Sequence, residues 1–207
     1  AADGSLWVAT SGGVFRYFEP GTPPEEFRNV GELQTLNCRA ILCEANGSRV
    51  YVGGDDGALD IRNAAGSWTN LSDISRATQY PKRGVNDIVE HNNILYIATD
   101  FGFVTFDIQK EIFVETVDRI GTIQEKTAAN GIVILRDSIW VATDSGLAVA
   151  PLNVSTLRPP SIWTVLGKDD GLGTNTISYI TTNGTELSVG TRFEALTFNG
   201  TSFDLRI

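Results

Sequence analysis

The residues best suited by type to do chemistry are acids beside short turns: Asp55 and Asp56, Asp100, and Asp144. Oxygen donors on neighbouring turns suit a hard cation. No Asp-x-Asp-x-Asp-Gly loop accompanies them, and aspartate is favoured in turns because its side chain bonds nearby backbone N–H groups. They are weak metal candidates; no metal and no cofactor are expected. Glycoside hydrolysis needs two carboxyl groups flanking one bond, and Asp87 and Glu90, with Asp100 and Asp144, supply an alternative reading, an enzyme acting on polysaccharide or a small lactone. The one histidine, His91, lies in a predicted turn, His91-Asn92-Asn93, where it is a poor base. No Gly-x-Ser-x-Gly elbow, His-Glu-x-x-His or phosphate-binding glycine loop occurs, so the chain reads as non-catalytic.

Binding chemistry is better represented. The stretch 72–84 carries Arg76, Tyr80, Lys82 and Arg83 in a chain of net charge -9, and further connections carry Arg119, Lys126, Lys168 and Arg192. Such basic and aromatic loops suit a protein or glycan partner. An acidic chain with a pI of about 4.6 does not suit a nucleic-acid backbone. Asn46, Asn70, Asn153, Asn183 and Asn199 head Asn-x-Ser/Thr sequons, candidate N-glycosylation sites, although Asn-Gly turn chemistry accounts for three of them. Cys38 and Cys43 fall in a predicted strand, where extended geometry holds their Cα atoms ~16 Å apart and odd spacing puts them on opposite faces. A disulfide needs under ~7 Å, so two free thiols are expected.

The elements that must position these residues come from a repeat. Leu6-Trp7-Val8-Ala9-Thr10, Val50-Tyr51-Val52-Gly53-Gly54, Leu95-Tyr96-Ile97-Ala98-Thr99, Ile139-Trp140-Val141-Ala142-Thr143 and the weaker Leu187-Ser188-Val189-Gly190-Thr191 are each followed by a turn and a second extended run. Trp7, Tyr51, Tyr96, Trp140 and Ser188 are equivalent, at separations of 44, 45, 44 and 48 residues. That is the period of a four-stranded propeller blade. Extended segments precede each hairpin after the first (37–43, 85–90, 131–135, 176–181), and a short aromatic run follows it (67–71, 112–115, 161–165, 202–205). Asn46-Gly47 and Asn183-Gly184 read as two-residue turns. The recurring aromatics, with Trp68 and Trp163, are assigned to sheet-to-sheet packing.

The prediction is therefore all-β: a β-propeller-like array of about five four-stranded antiparallel blades and about nineteen strands, the first blade lacking its innermost strand. It forms one domain, 1–207, with blades near 1–36, 37–72, 84–118, 130–167 and 174–207. The missing strand implies a three-stranded blade, a piece of a larger ring, or a strand donated by another polypeptide at the open edge. The absence of Met, even at position 1, suits a processed chain or a piece of a larger protein. No apolar run reaches membrane-spanning length.

The hairpin phrase Leu-Trp-Val-Ala-Thr-Ser-Gly-Gly-Val and the stretch Asp170-Gly171-Leu172, Asn175, Ile177 resemble the two-component regulator propeller repeat over nearly the whole chain. The second copy departs from the pattern at Gly54-Asp55-Asp56. The resemblance implies a periplasmic, secreted or cell-surface location, as in extracytoplasmic sensor domains and surface proteins. The expected role is recognition or scaffolding through loops on one face, with a structural subunit completed by a donated strand as an alternative.

Overall fold

The structure, a computed structural model, describes residues 1, 3–200 and 202–205. Among them lie nineteen strands and two single-turn 3-10 helices, Pro160–Ile162 and Lys168–Asp170. The strands form five antiparallel sheets in chain order, the first of three strands and the others of four, as the repeat predicts. The first holds β1 (Leu6–Thr10), β2 (Gly13–Tyr17) and β3 (Glu25–Phe27); the second holds β4 (Cys38–Cys43), β5 (Arg49–Gly54), β6 (Leu59–Asn63) and β7 (Trp68–Leu71). The third comprises β8 (Val85–His91), β9 (Ile94–Thr99), β10 (Gly102–Asp107) and β11 (Ile112–Val117). The fourth comprises β12 (Ala129–Leu135), β13 (Ser138–Thr143), β14 (Gly146–Pro151) and β15 (Thr164–Leu166), and the fifth β16 (Tyr179–Thr182), β17 (Leu187–Gly190), β18 (Ala195–Phe198) and β19 (Phe203–Leu205). The chain divides into two compact units, Ala1–Glu90 and His91–Ile207.

A threonine closes the central hairpin of four sheets. Thr10, Thr99, Thr143 and Thr191 each accept a backbone N–H two residues on and donate to the carbonyl three residues on. The side chain thus supplies turn bonds that the backbone alone would leave unmade. In the second sheet Gly54 stands at this place because a Cβ there would run into the Thr35 methyl. Asp56 takes over, its carboxylate accepting the Ala58 N–H at 3.0 Å.

Turn chemistry departs from expectation at two places. Between the first and second strands of a sheet, the two-residue turns are Asn92-Asn93 and Arg136-Asp137, whose φ values of 52°, 62°, 50° and 58° match the twist of the flanking strands. Asn46-Gly47 and Asn183-Gly184 sit instead in longer loops. There the asparagine side chain is the acceptor: Asn46 Oδ1 takes the Ser48 N–H, and Asn183 Oδ1 takes the Thr185 and Glu186 N–H groups.

In the first unit Trp7, Val14, Phe27, Leu33, Val50 and Val52 form the core between the first two sheets. Cys38 and Cys43 are free thiols, as expected, but both pack on this one core. A bulge at Arg39 explains it, since Cys38 pairs Gly54 while Ala40 pairs Gly53, and the extra residue restores a common face to an odd spacing. Burial, then the charges of Asp60, Asp55 and Asp56, pushes the Cys38 thiol up to about 12. Asp60 is itself buried, accepting Gln34 N–H at 3.0 Å, Gln34 Nε2 at 2.9 Å and Asn70 Nδ2 at 2.7 Å, which ties the 32–36 connection to β6 and β7. Burial raises its carboxyl above the ordinary aspartate value.

In the second unit Leu135, Trp140, Leu147, Leu172, Ile177 and Leu187 pack between the fourth and fifth sheets. β16 starts later than predicted because the Ile177 backbone bonds Thr143 O and Asn130 Nδ2, and Thr176 Oγ1 bonds Asp144 O. β15 also starts late, after the 3-10 turn over Pro160–Ile162.

Candidate binding site

The basic connections are well anchored. In 72–84, Ile74 and Tyr80 are buried, so the Tyr80 ring belongs to the packing and offers no surface platform. Arg83 Nη1 donates to Tyr80 O at 3.0 Å, while Arg76 and Lys82 are exposed above. Arg119 and Lys126 share one connection, pinned by buried Ile120 and Ile123; Arg119 lies 3.6 Å from Glu125 and the Lys126 N–H donates to Asp118 O. Lys168 and Arg192 lie on two further connections, Lys168 N–H on Asn175 Oδ1 and Arg192 5.9 Å from the Phe193 ring.

Asp55, Asp56 and Asp144 serve as local acceptors for Asn37 Nδ2, Ala58 N–H and Asn130 Nδ2. Among the described residues no three His, Cys, Asp or Glu side chains come together as a metal site. His91 ends β8, with Asn92 Nδ2 against its Nε2 at 2.9 Å. Asn46, Asn153, Asn183 and Asn199 stand exposed in loops, whereas the Asn70 amide nitrogen is committed to Glu32 O and Asp60.

The pocket with the most distinctive chemistry forms where the repeat places its aromatic. Arg16 pairs across the hairpin from Trp7; Ile61, Thr105, Val149 and Thr197 hold the matching places opposite Tyr51, Tyr96, Trp140 and Ser188. One residue further along stand Tyr17, Arg62, Phe106, Ala150 and Phe198. The repeat fills these two positions with apolar or small uncharged residues except twice, and both exceptions, Arg16 and Arg62, flank Trp7.

The result is a cavity of about 230 Å³ walled by Trp7, Arg16, Arg49, Arg62 and Asp3. Trp7 stacks on Phe27 at 5.2 Å and 13°. Arg16 lies 5.0 Å from the Trp7 ring and 4.2 Å from Phe18, and Arg62 5.5 Å from Trp7 and 5.4 Å from Phe27. Such cation–π contacts contribute about 0.5–2 kcal/mol each, depending on desolvation. Arg16 also pairs with Asp3 and, at 3.1 Å, with Glu25. Hydrogen bonds from Ser5, and then Arg16, hold the Asp3 carboxyl well below the usual range. Arg62 has no carboxylate partner among the described residues, and its Nε is buried without a hydrogen bond.

Two cavities of the second unit occupy the matching place. The one beside Trp140, about 270 Å³, has Phe198 where Arg62 stands and is walled also by Leu135 and Arg136. The one beside Tyr96, about 170 Å³, is walled by the connection 152–157, whose Leu157 N–H and Thr156 hydroxyl are both accepted by Glu115. The Trp7 cavity is thus a general feature of the repeat made cationic. Arg16, Arg49 and Arg62 were absent from the sequence-based candidates, although aligning the repeats position by position marks the first and third as charged intrusions.

A family model described as the N-terminal β-propeller domain of PorZ of the type IX secretion system matches residues 6–164. No curated protein matches the chain. Among solved structures, PorZ of Porphyromonas gingivalis, described as an essential bacterial surface component of that system, superposes with a TM-score of 0.76 over 97% of this chain and 26% of its own, at 15% identity. The extracellular domains of the two-component systems BT3049 and BT4673 of B. thetaiotaomicron superpose with TM-scores of 0.67 and 0.75. Their identities are 19% and 16%, over 97% and 93% of this chain and 25% of each of theirs. These likenesses are of fold, a β-propeller, and the chain spans about a quarter of the length of each solved protein.

Proposed function

The chain belongs to the family of PorZ N-terminal β-propeller domains, and from that premise we propose that it is a non-catalytic recognition domain displayed outside the cytoplasm by a bacterial surface component. The observation that carries the reading is the Trp7 cavity, where a packing position of the repeat has been given over to arginines. Apolar residues at those places contribute ~1.5–3 kcal/mol each when buried, and charge forgoes that gain. A partner contact is a reason to keep it. The extracellular and surface placement of the similar structures supports the location. No helix among the described residues is long and apolar enough to cross a membrane.

Intact cells carrying the parent protein test this. A membrane-impermeant amine reagent is expected to label the exposed Lys82, Lys126 and Lys168 without lysis, and, if the parent serves type IX secretion as PorZ does, single amide replacements of Asp87, Glu90, Asp100 and Asp144 are expected to leave its secretion phenotype intact. Labelling only after lysis would refute the location; loss of the phenotype in an amide variant would favour the hydrolase.

A further inference from the structure

We propose that the Arg62 guanidinium is the docking point for a carboxylate of a protein partner, an inference that rests on reading the chain as a recognition domain. Arg16 shows, in the same cluster, how this environment satisfies a guanidinium: aromatic rings, Trp7 and Phe18, contact its face, and carboxylates, Asp3 and Glu25, meet its N–H groups. Arg62 has the first half of that arrangement, between Trp7 and Phe27, and lacks the second. A cation partly withdrawn from water without a counter-charge is costly, and a carboxylate entering the cavity relieves that cost while matching the planar fork of the guanidinium.

The choice of carboxylate follows from Arg16, whose guanidinium on the same cavity is met by two carboxylates, Asp3 and Glu25, planar acceptors that match its N–H groups. The choice of a peptide follows from the second unit. On the wall of the cavity beside Tyr96, Glu115 accepts the Leu157 N–H and the Thr156 hydroxyl of the connection that forms another wall, so a charged side chain at this place in the repeat already holds a peptide segment. At the Trp7 cavity the polarity is reversed, with cations in the sheet and the acid expected on the incoming segment. The chain's net charge of -9 does not oppose this at short range, because exposed charges beyond ~8 Å are screened at physiological ionic strength.

The test is a nuclear magnetic resonance titration of the chain, observing the arginine Nε–Hε groups and the Trp7 indole N–H. The probes are N-acetylaspartic acid amide for a side-chain carboxylate, N-acetylglycine for a chain-terminal one, and inorganic phosphate. The expected result is saturable shifts at Arg62 and Trp7 with at least one carboxylate, the tighter of the two identifying the source. Affinity should fall at least tenfold in Arg62→Gln and also in Arg62→Lys, which keeps charge and stem but not the fork, and stay unchanged in Arg158→Gln. Absence of a saturable shift, affinity retained undiminished in both Arg62 variants, or tighter binding of phosphate than of either carboxylate overturns the assignment. Failure here with successful surface labelling would leave recognition to another part of the domain; success here with failed labelling would leave a carboxylate site in a chain of different location.

Discussion

Gly102→Ala is expected to lower the unfolding free energy by about 2–4 kcal/mol, combining positive-φ strain with overpacking. Gly102 opens β10 at φ 120°, and a Cβ there would overlap the Val117 carbonyl oxygen and stand 3.0 Å from the Asp118 Cα. Those neighbours are backbone and cannot rotate away. Gly13 occupies the same place after Thr10, where a Cβ would overlap the Phe27 carbonyl oxygen; at Gly146, after Thr143, it would meet the Val165 side chain at 2.9 Å and the Leu166 carbonyl oxygen at 3.0 Å. Gly184→Ala separates strain from contact, since Gly184 has φ 91° and nothing within 4 Å of a Cβ; it should cost about 1 kcal/mol. Denaturant unfolding of both variants by far-ultraviolet circular dichroism checks the contrast. Equal losses would show that the close approach to Val117 does not matter.

Trp7→Ala is expected to cost about 3–5 kcal/mol, the range for emptying a buried tryptophan site. The indole is buried, stacks on Phe27, donates from Nε1 to Ser5 Oγ at 3.1 Å and underlies both Arg16 and Arg62. Its removal takes away core and counter-surface together. Trp7→Phe keeps a ring for stacking and should recover more than half of the loss. A loss under 1 kcal/mol in the alanine variant would mean that Trp7 is a surface feature, contrary to its place in the first core.

The fold was legible because Trp7, Tyr51, Tyr96 and Trp140 recur at a blade's period, and because a threonine and a glycine bracket most of the turns. What was not legible depended on one-residue events. The bulge at Arg39 reverses the facing of Cys38, which alternation alone cannot foresee. The two-residue turns between first and second strands use Asn92-Asn93 and Arg136-Asp137, the latter a pair with no strong turn signature, while Asn46 and Asn183 spend their side chains as acceptors. The site was missed for a similar reason. Attention to charged loops favours Arg76, Lys82 and Arg83, whereas Arg16 and Arg62 lie inside strands, where each looks like an ordinary outward-facing residue. Only the cross-strand register, which sets Arg16 against Trp7 and Arg62 against Val50, brings them to one cavity.

The central claim, recognition through the Trp7 cavity, is tested most directly by a photo-crosslinking residue placed at Ser48, on the wall of that cavity, in the parent protein of intact cells. The account predicts a discrete crosslinked partner that disappears when Arg62→Gln is added while the domain remains folded and displayed. A crosslink that persists undiminished in Arg62→Gln, or none at Ser48 while partners are captured elsewhere on the domain, would contradict it.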